Sequence, residues 1–211
     1  MFNKFDKTNM KVAFLTAKLS YCERRQVGAV ITRDDRVIAN GYNGTSKGSE
    51  NICEDKYVTC TCCNEKILLT EDVLNVADEN GRMITSCSCG AAHVYFTHED
   101  IELKTNDMVI HAEQNALLFA AKNGISVNGA TMYVTTEPCI ECAKFIEASG
   151  IKIVIYSDSY KNSAGIELLK KHGVNCYKYE IGKDDERNWV TLLLYSVLWY
   201  MVSIFRNIQR I

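Results

Sequence analysis

The pairing of His111-Ala112-Glu113 with Pro138-Cys139-Ile140-Glu141-Cys142 constrains this chain more than any other stretch. Imidazole nitrogen and thiolate sulfur are donors for a borderline-soft metal ion, and a carboxylate stands beside them. Residues three apart on a helix share a face, so Cys139 and Cys142 can reach one ion if a helix starts at Pro138. Pro138 is expected at the first helical position, which leaves the following N–H groups pointing out of the helix tip. The dipole there lowers a cysteine pKa towards the thiolate that binds metal.

His111 completes a three-ligand set. The run from Ala112 to Lys122 is rich in Ala and Leu and is followed by Gly124, which predicts a helix with His111 and Glu113 in its first turn. Three protein ligands leave one tetrahedral position open, as in a catalytic rather than a structural zinc. Zinc lowers the pKa of a water there towards about 7. Glu113, two residues from His111, does not share its helical face, so the two work from the helix tip, one on the metal and one moving protons beside it. The blander reading makes Cys139 and Cys142 small core residues and His111 a cap. Finding His, Glu, Pro and two Cys on two helix starts flanking a strand argues against it.

Around this pair the chain reads as α/β. Apolar residues at Met10, Ala13, Phe14, Ala17 and Leu19 predict a helix over residues 6–20. Residues 27–32 and 36–40 form β-branched runs about Arg33-Asp34-Asp35, which predicts a hairpin, and Gly41-Tyr42-Asn43-Gly44-Thr45 then offers a pocket wall or an ordinary turn. Residues 130–136, 152–156 and 174–180 predict strands, alternating with helices from Pro138 to Ala148 and from Ser163 to Lys171. Residues 47–107 break the pattern and are expected to be an irregular, Cys-rich insertion.

With 211 residues, one domain over residues 1–185 is expected, followed by an apolar helix over 186–211. The run from Val190 to Phe205 carries no charge but is shorter than the roughly 20 apolar residues that cross a bilayer. It reads as a buried or subunit-interface helix, with a surface anchor through Arg206 and Arg210 as the alternative. A net charge of -2 does not point to a nucleic-acid polymer as partner. Ten cysteines without an apolar leader at the N-terminus read as metal-bound or free thiols in a reducing cytoplasm.

The runs His111-Ala112-Glu113-Gln114-Asn115-Ala116 and Glu137-Pro138-Cys139-Ile140-Glu141-Cys142 resemble the cytidine and deoxycytidylate deaminase superfamily. Val27-Gly28-Ala29-Val30-Ile31, Gly41-Tyr42-Asn43-Gly44, Leu117 to Gly124 and Gly150-Ile151-Lys152 narrow the resemblance to the bacteriophage-type deoxycytidylate (dCMP) deaminases, over most of residues 10–180. The resemblance implies a three-layer αβα fold with a mostly five-stranded mixed sheet, and hydrolysis of dCMP to dUMP for thymidylate synthesis. It also implies a cytoplasmic homohexamer, in the host if phage-encoded, activated by dCTP with Mg2+ and inhibited by dTTP. By the same resemblance Asn43 contacts the nucleotide, the Ala112 N–H meets the pyrimidine carbonyl, and Tyr156 packs on the base. Cys22, Cys53 and His98, with His93 as rival for His98, would bind a second, structural zinc.

The chain also departs from that pattern. Lys122 stands where such relatives carry an effector-linked Arg, and Lys lacks the planar fork that grips phosphate bidentately. Cys60-Thr61-Cys62-Cys63 and Cys87-Ser88-Cys89 lie outside the pattern, and either an additional zinc or reduced thiols would account for them. Rival readings are another zinc nucleoside, nucleotide or tRNA deaminase, or an inactive zinc-stabilised binding module. The absence of a Lys/Arg cluster near the motif disfavours a tRNA substrate, and an intact Glu113 disfavours the inactive module.

Overall fold

The structure, a computed structural model, describes residues 2–180 except Val76, Ala92 and residues 160–162. The chain divides into the units Met1–Tyr177 and Lys178–Ile211, and the apolar segment expected at 186–211 lies outside the described residues. Helix α1 (Lys4–Ala17) starts at Asn3, whose Oδ1 accepts from Phe5 N at 2.7 Å and Asp6 N at 3.0 Å, while Asp6 Oδ2 accepts from Asn3 N at 2.8 Å. A cap of this kind contributes about 1 kcal/mol. Strands β1 (Gly28–Arg33) and β2 (Arg36–Tyr42) form the predicted hairpin. Its two turn residues, Asp34 and Asp35, adopt φ of 49° and 61°, the left-handed pair that matches the twist of a two-residue turn.

The insertion is more ordered than its sequence suggests. It carries β3 (Glu54–Thr59), β4 (Lys66–Leu68), a helical turn α2 (Glu71–Leu74), β5 (Met83–Thr85), β6 (Val94–Phe96), a 3-10 turn over His98–Asp100 and β7 (Glu102–Thr105). Strand order β4-β3-β7 makes one small antiparallel sheet, and β5 pairs with β6 in a separate hairpin. Val58, Leu69, Met83 and Phe96 form the larger of two small cores here.

The chain then runs through α3 (Ala112–Lys122), β8 (Thr131–Thr136), α4 (Ile140–Ala148), β9 (Ile153–Asp158), α5 (Ala164–Lys171) and β10 (Asn175–Lys178). The main sheet has the order β10-β9-β8-β1-β2. β1 is antiparallel to both neighbours, whereas β8 and β9 run parallel, so the five-stranded sheet is mixed as the resemblance implied. Alternation along the strands separates two faces. Ala29, Ile31, Met132 and Val134 join Ala112, Ala116, Ala143, Ile146, Ile166 and Leu169 in one core, which places α3, α4 and α5 on the same side. Gly28 and Tyr133 face α1 on the other side. A Cβ at Gly28 would lie 2.1 Å from Ala13 O, and Tyr133 Oη donates to Asp6 Oδ1 at 2.8 Å. The result is three layers.

Candidate active site

Two helix starts meet at the ends of β2 and β8. His111 is the N-cap of α3, held there because its N–H donates to Gln114 Oε1 at 3.1 Å. Cys139 is the N-cap of α4, and its Sγ accepts from Cys142 N at 3.5 Å. Pro138 therefore lies just before the helix and not at its first position, as the sequence suggested. Proline still excludes a helical conformation at the residue before it, and the turn it makes is backed by α5. Gly165 packs so closely that a Cβ there would lie 2.1 Å from Pro138 O.

His111 Nδ1 stands 3.3 Å from Cys142 Sγ and 3.6 Å from Cys139 Sγ, and all three donor atoms lie within 4.8 Å of one another. A tetrahedral zinc with bonds of about 2.3 Å to sulfur and about 2.0 Å to nitrogen separates N from S by about 3.5 Å. The donor set fits that ion in chemistry and in span. The charges are arranged to match. Hydrogen bonding from Cys142, and then from His111, holds the Cys139 thiol down to about 4. The Cys142 thiol is pushed up, first by its hydrogen bond with Cys139 and then by burial. Metal binding would hold both cysteines as thiolates and His111 as neutral imidazole, displacing their protons. The His111 imidazole is raised, chiefly by its hydrogen bond to Cys139.

Glu113 is buried, with 4% of its surface exposed, and burial pushes its carboxyl up to about 7. A buried carboxyl with a raised pKa beside a cluster of metal donors is a candidate proton carrier. Ala112 is fully buried between them, its backbone N–H among those at the start of α3 that have no partner within the helix.

The cavity over this floor is lined by His111, Ala112, Glu113 and Cys139 together with Asn43, Thr136 and Glu137. Asn43 occupies the wall that the sequence suggested. Its Oδ1 accepts from Val27 N at 2.7 Å and its Nδ2 donates to Arg25 O at 2.9 Å, so it also fixes the loop before β1. Each of those atoms retains capacity for one further hydrogen bond. Arg24 and Arg25 stand on the rim, and sequence reasoning overlooked them. Two adjacent cations between Cys22 and Val27 were the available signal. Glu54, buried, accepts from Glu23 N at 3.1 Å and Arg24 N at 3.2 Å, and Arg24 Nη1 donates to Thr105 Oγ1 at 2.7 Å. These contacts hold the rim in place.

Other sequence-predicted residues stand elsewhere. Tyr156 is half-buried against the main core and does not line the cavity; burial, Glu137 and Cys176 raise its phenol. Lys122 is exposed in the last turn of α3. Cys22 and Cys53 form a disulfide, and neither His98 nor His93 joins them within metal-binding range among the described residues. The expected Cys22–Cys53–His98 zinc set is therefore not assembled. Bridging consumes both thiols, and His98 is exposed on the 3-10 turn. The reading of all ten cysteines as free or metal-bound holds for the other eight.

The family model described as the cytidine and deoxycytidylate deaminase zinc-binding region matches residues 3–158. The deoxycytidylate deaminase of Enterobacteria phage T4 is 34% identical over 191 residues, covering 86% of this chain and 93% of that protein. That of Schizosaccharomyces pombe is 35% identical over 176 residues, covering 83% of this chain and 44% of its own length. The crystal structure of dCMP deaminase from the cyanophage S-TIM5 in complex with dCMP and dUMP is similar at a TM-score of 0.58 and 28% identity, over 85% of this chain and 99% of that one.

Proposed function

We propose that this chain, which belongs to the cytidine and deoxycytidylate deaminase family, hydrolyses dCMP to dUMP and ammonia, supplying dUMP for thymidylate synthesis. The observation that carries the reading is the buried Glu113 carboxyl beside an open-sided His111–Cys139–Cys142 donor set, under a rim bearing Arg24 and Arg25. When bound, zinc supplies the Lewis acidity that makes a water a nucleophile near neutral pH.

The chain's own residues do the rest. Glu113 takes a proton from the water that adds to C4 of the cytosine and delivers it to the ring nitrogen N3. It then carries the second proton to the amine, which leaves as ammonia. The Ala112 N–H orients the ring by donating to its carbonyl, and Asn43 contacts the sugar from the wall. The two rim arginines meet the 5′-phosphate, which distinguishes a nucleotide from a nucleoside.

The same reading extends to regulation and assembly. It makes the protein a cytoplasmic homohexamer, activated by dCTP with Mg2+ and inhibited by dTTP, with Lys122 as an effector contact. Likeness to the phage deoxycytidylate deaminases supports this, as do Leu118, Phe119 and Phe145, large apolar side chains left exposed on α3 and α4 where subunits could cover them. Among the described residues no helix is long and apolar enough to cross a membrane.

The deciding experiment follows ammonia release from zinc-loaded protein given dCMP, dCTP, deoxycytidine and tRNA in parallel. Release with dCMP well above the others is expected. Release from tRNA alone would transfer the activity to a polymer substrate, and no release at all would leave a binding module.

A further inference from the structure

A second cluster of thiols lies in the insertion, at Cys60, Cys63, Cys87 and Cys89. Cys60 directly follows β3 and Cys63 stands just before β4, so the first pair occupies the turn of one hairpin. Cys87 and Cys89 occupy the turn between β5 and β6, in the other hairpin. Both turns are folded tightly enough to aim two sulfurs the same way. In the first, Asn64 N donates to Cys60 O at 2.9 Å, Cys60 N donates to Glu65 O at 2.8 Å, and Asn64 takes φ 61°. In the second, Gly90 N donates to Cys87 O at 3.1 Å, Cys87 N donates to Ala91 O at 2.9 Å, and Gly90 takes φ 94°. Each turn thus reverses immediately after its second cysteine through a left-handed residue, the conformation that Asn and Gly tolerate best.

The sulfurs from the two turns interleave. Cys60 Sγ is 3.9 Å from Cys89 Sγ, Cys63 Sγ is 3.5 Å from Cys87 Sγ, and all four lie within 4.8 Å of one another. Four sulfurs placed tetrahedrally at about 2.3 Å from a zinc ion are about 3.8 Å apart, between the two observed separations. None of the four is in a disulfide. The cluster is selective, because Cys62 lies between Cys60 and Cys63, is exposed, and is not part of it.

We propose that Cys60, Cys63, Cys87 and Cys89 form a structural tetrathiolate zinc site that ties the β3–β4 hairpin to the β5–β6 hairpin. The insertion needs such a tie. β4, β5 and β6 have three residues each, and the two small cores bury only Val58, Leu69, Met83 and Phe96 in one and Cys60, Cys87 and Val94 in the other. Apolar area on that scale does not offset the ordering of so many loop residues, and small elements of this kind draw folding energy from a metal. Four thiolate ligands close the coordination sphere, so the ion has no open position for substrate. Binding exchanges the thiol protons for the ion and releases them to solvent. The site stands on its own geometry and does not depend on the activity read from His111 and Glu113.

Elemental analysis of the full chain purified under reducing conditions tests it. Two zinc ions per chain are expected, one for each donor group. The Cys63→Ser/Cys89→Ser double variant should keep one and Cys62→Ser should keep both. Since loss of two ligands removes the tie on which the insertion's folding depends, a second test uses Cys139→Ser, which removes a ligand from the other donor group, loaded with cobalt. An intense thiolate-to-cobalt charge-transfer band with the visible spectrum of a tetrahedral all-sulfur site is expected. One zinc per wild-type chain would overturn the site, as would a Cys139→Ser protein lacking that spectrum. Disulfides linking these four cysteines, found by mass spectrometry of the freshly purified reduced protein, would also overturn it.

Discussion

Gly41 lies against the first turn of α3 so closely that a Cβ on it would stand 2.4 Å from Ala116 N and 2.6 Å from Ala112 O. Both neighbours are helix backbone and cannot rotate away. The same approach lets Asn115 Nδ2 donate to Tyr42 O at 2.8 Å, pinning the helix tip to the end of β2. Gly41→Ala should therefore push α3 off the sheet and shift His111 and Glu113 together. We expect a destabilisation of about 1–3 kcal/mol, as for overpacking of a close contact. Displacement of a catalytic group by 1 Å costs on the order of 100-fold in turnover. Urea unfolding together with ammonia-release kinetics reads both effects, and wild-type activity in the variant would show that α3 has room to yield.

The role assigned to Glu113 separates chemistry from binding. Gln keeps the size and the hydrogen-bonding shape of Glu but accepts no proton at this pH. Glu113→Gln should bind zinc and dCMP as the wild type does while kcat falls by about 100- to 10,000-fold, the range for loss of a general acid–base. Zinc content and dCMP titration run alongside kinetics distinguish this from collapse of the site. Near-normal turnover would remove Glu113 from the proton transfers.

The grouping of His111, Cys139 and Cys142 is legible in the sequence because caps and helix starts are local. Ala112 to Lys122 and Ile140 to Ala148 form helices where residue composition predicts them, and the two short motifs sit at their tips. The hairpin of β1 and β2, two β-branched runs about a short turn, is legible for the same reason. What escapes is set by distance in the chain. Strands β4, β5 and β6 are too short to display a two-residue period, so the insertion reads as irregular. Cys22 and Cys53 have thiols that would suit either a metal or a bridge, and only the approach of β3 to the loop after α1 decides between them. Arg24 and Arg25 reach the rim because Asn43 and Glu54, distant in sequence, grip the loop backbone.

Burial of Glu113 carries a cost that depends on pH. Its carboxyl lies at about 7 in the folded protein against an ordinary 4.5, so between those values the folded state holds the proton more tightly than the unfolded state. Stability must then fall as pH rises through that window, by roughly 3 kcal/mol for the full shift. In chelator-treated protein, the stability difference between wild type and Glu113→Gln should move against the wild type from pH 4.5 to pH 8. Urea midpoints at several pH values measure it, and a constant difference would place the Glu113 carboxyl in contact with water.

Effector control makes a separate kinetic demand. If dCTP with Mg2+ activates a homohexamer, it should raise the apparent affinity for dCMP and change a sigmoidal curve towards a hyperbola, and dTTP should do the reverse. Lys122 is exposed at the end of α3, away from the cavity lining, so Lys122→Ala should weaken the dCTP response without changing kcat at saturating dCMP. A hyperbolic curve unmoved by either nucleotide would end the regulatory reading.

Arg24 offers the sharpest test of substrate class, because its guanidinium is on the rim and not at the reacting atoms. If it meets the 5′-phosphate, replacing it should penalise the nucleotide and spare the nucleoside. A charge-assisted hydrogen bond to phosphate is worth about 1.5–3 kcal/mol, which corresponds to roughly 10- to 150-fold in kcat/KM. Arg24→Ala should therefore lower kcat/KM for dCMP by that factor and leave the slower reaction of deoxycytidine within about twofold of wild type. The contact of Nη1 with Thr105 Oγ1 provides the structural control. Thr105→Val removes that hydrogen bond but keeps the charge, so a merely structural Arg24 would be mimicked by Thr105→Val on both substrates. Equal losses on dCMP and deoxycytidine in Arg24→Ala would assign the phosphate to other residues.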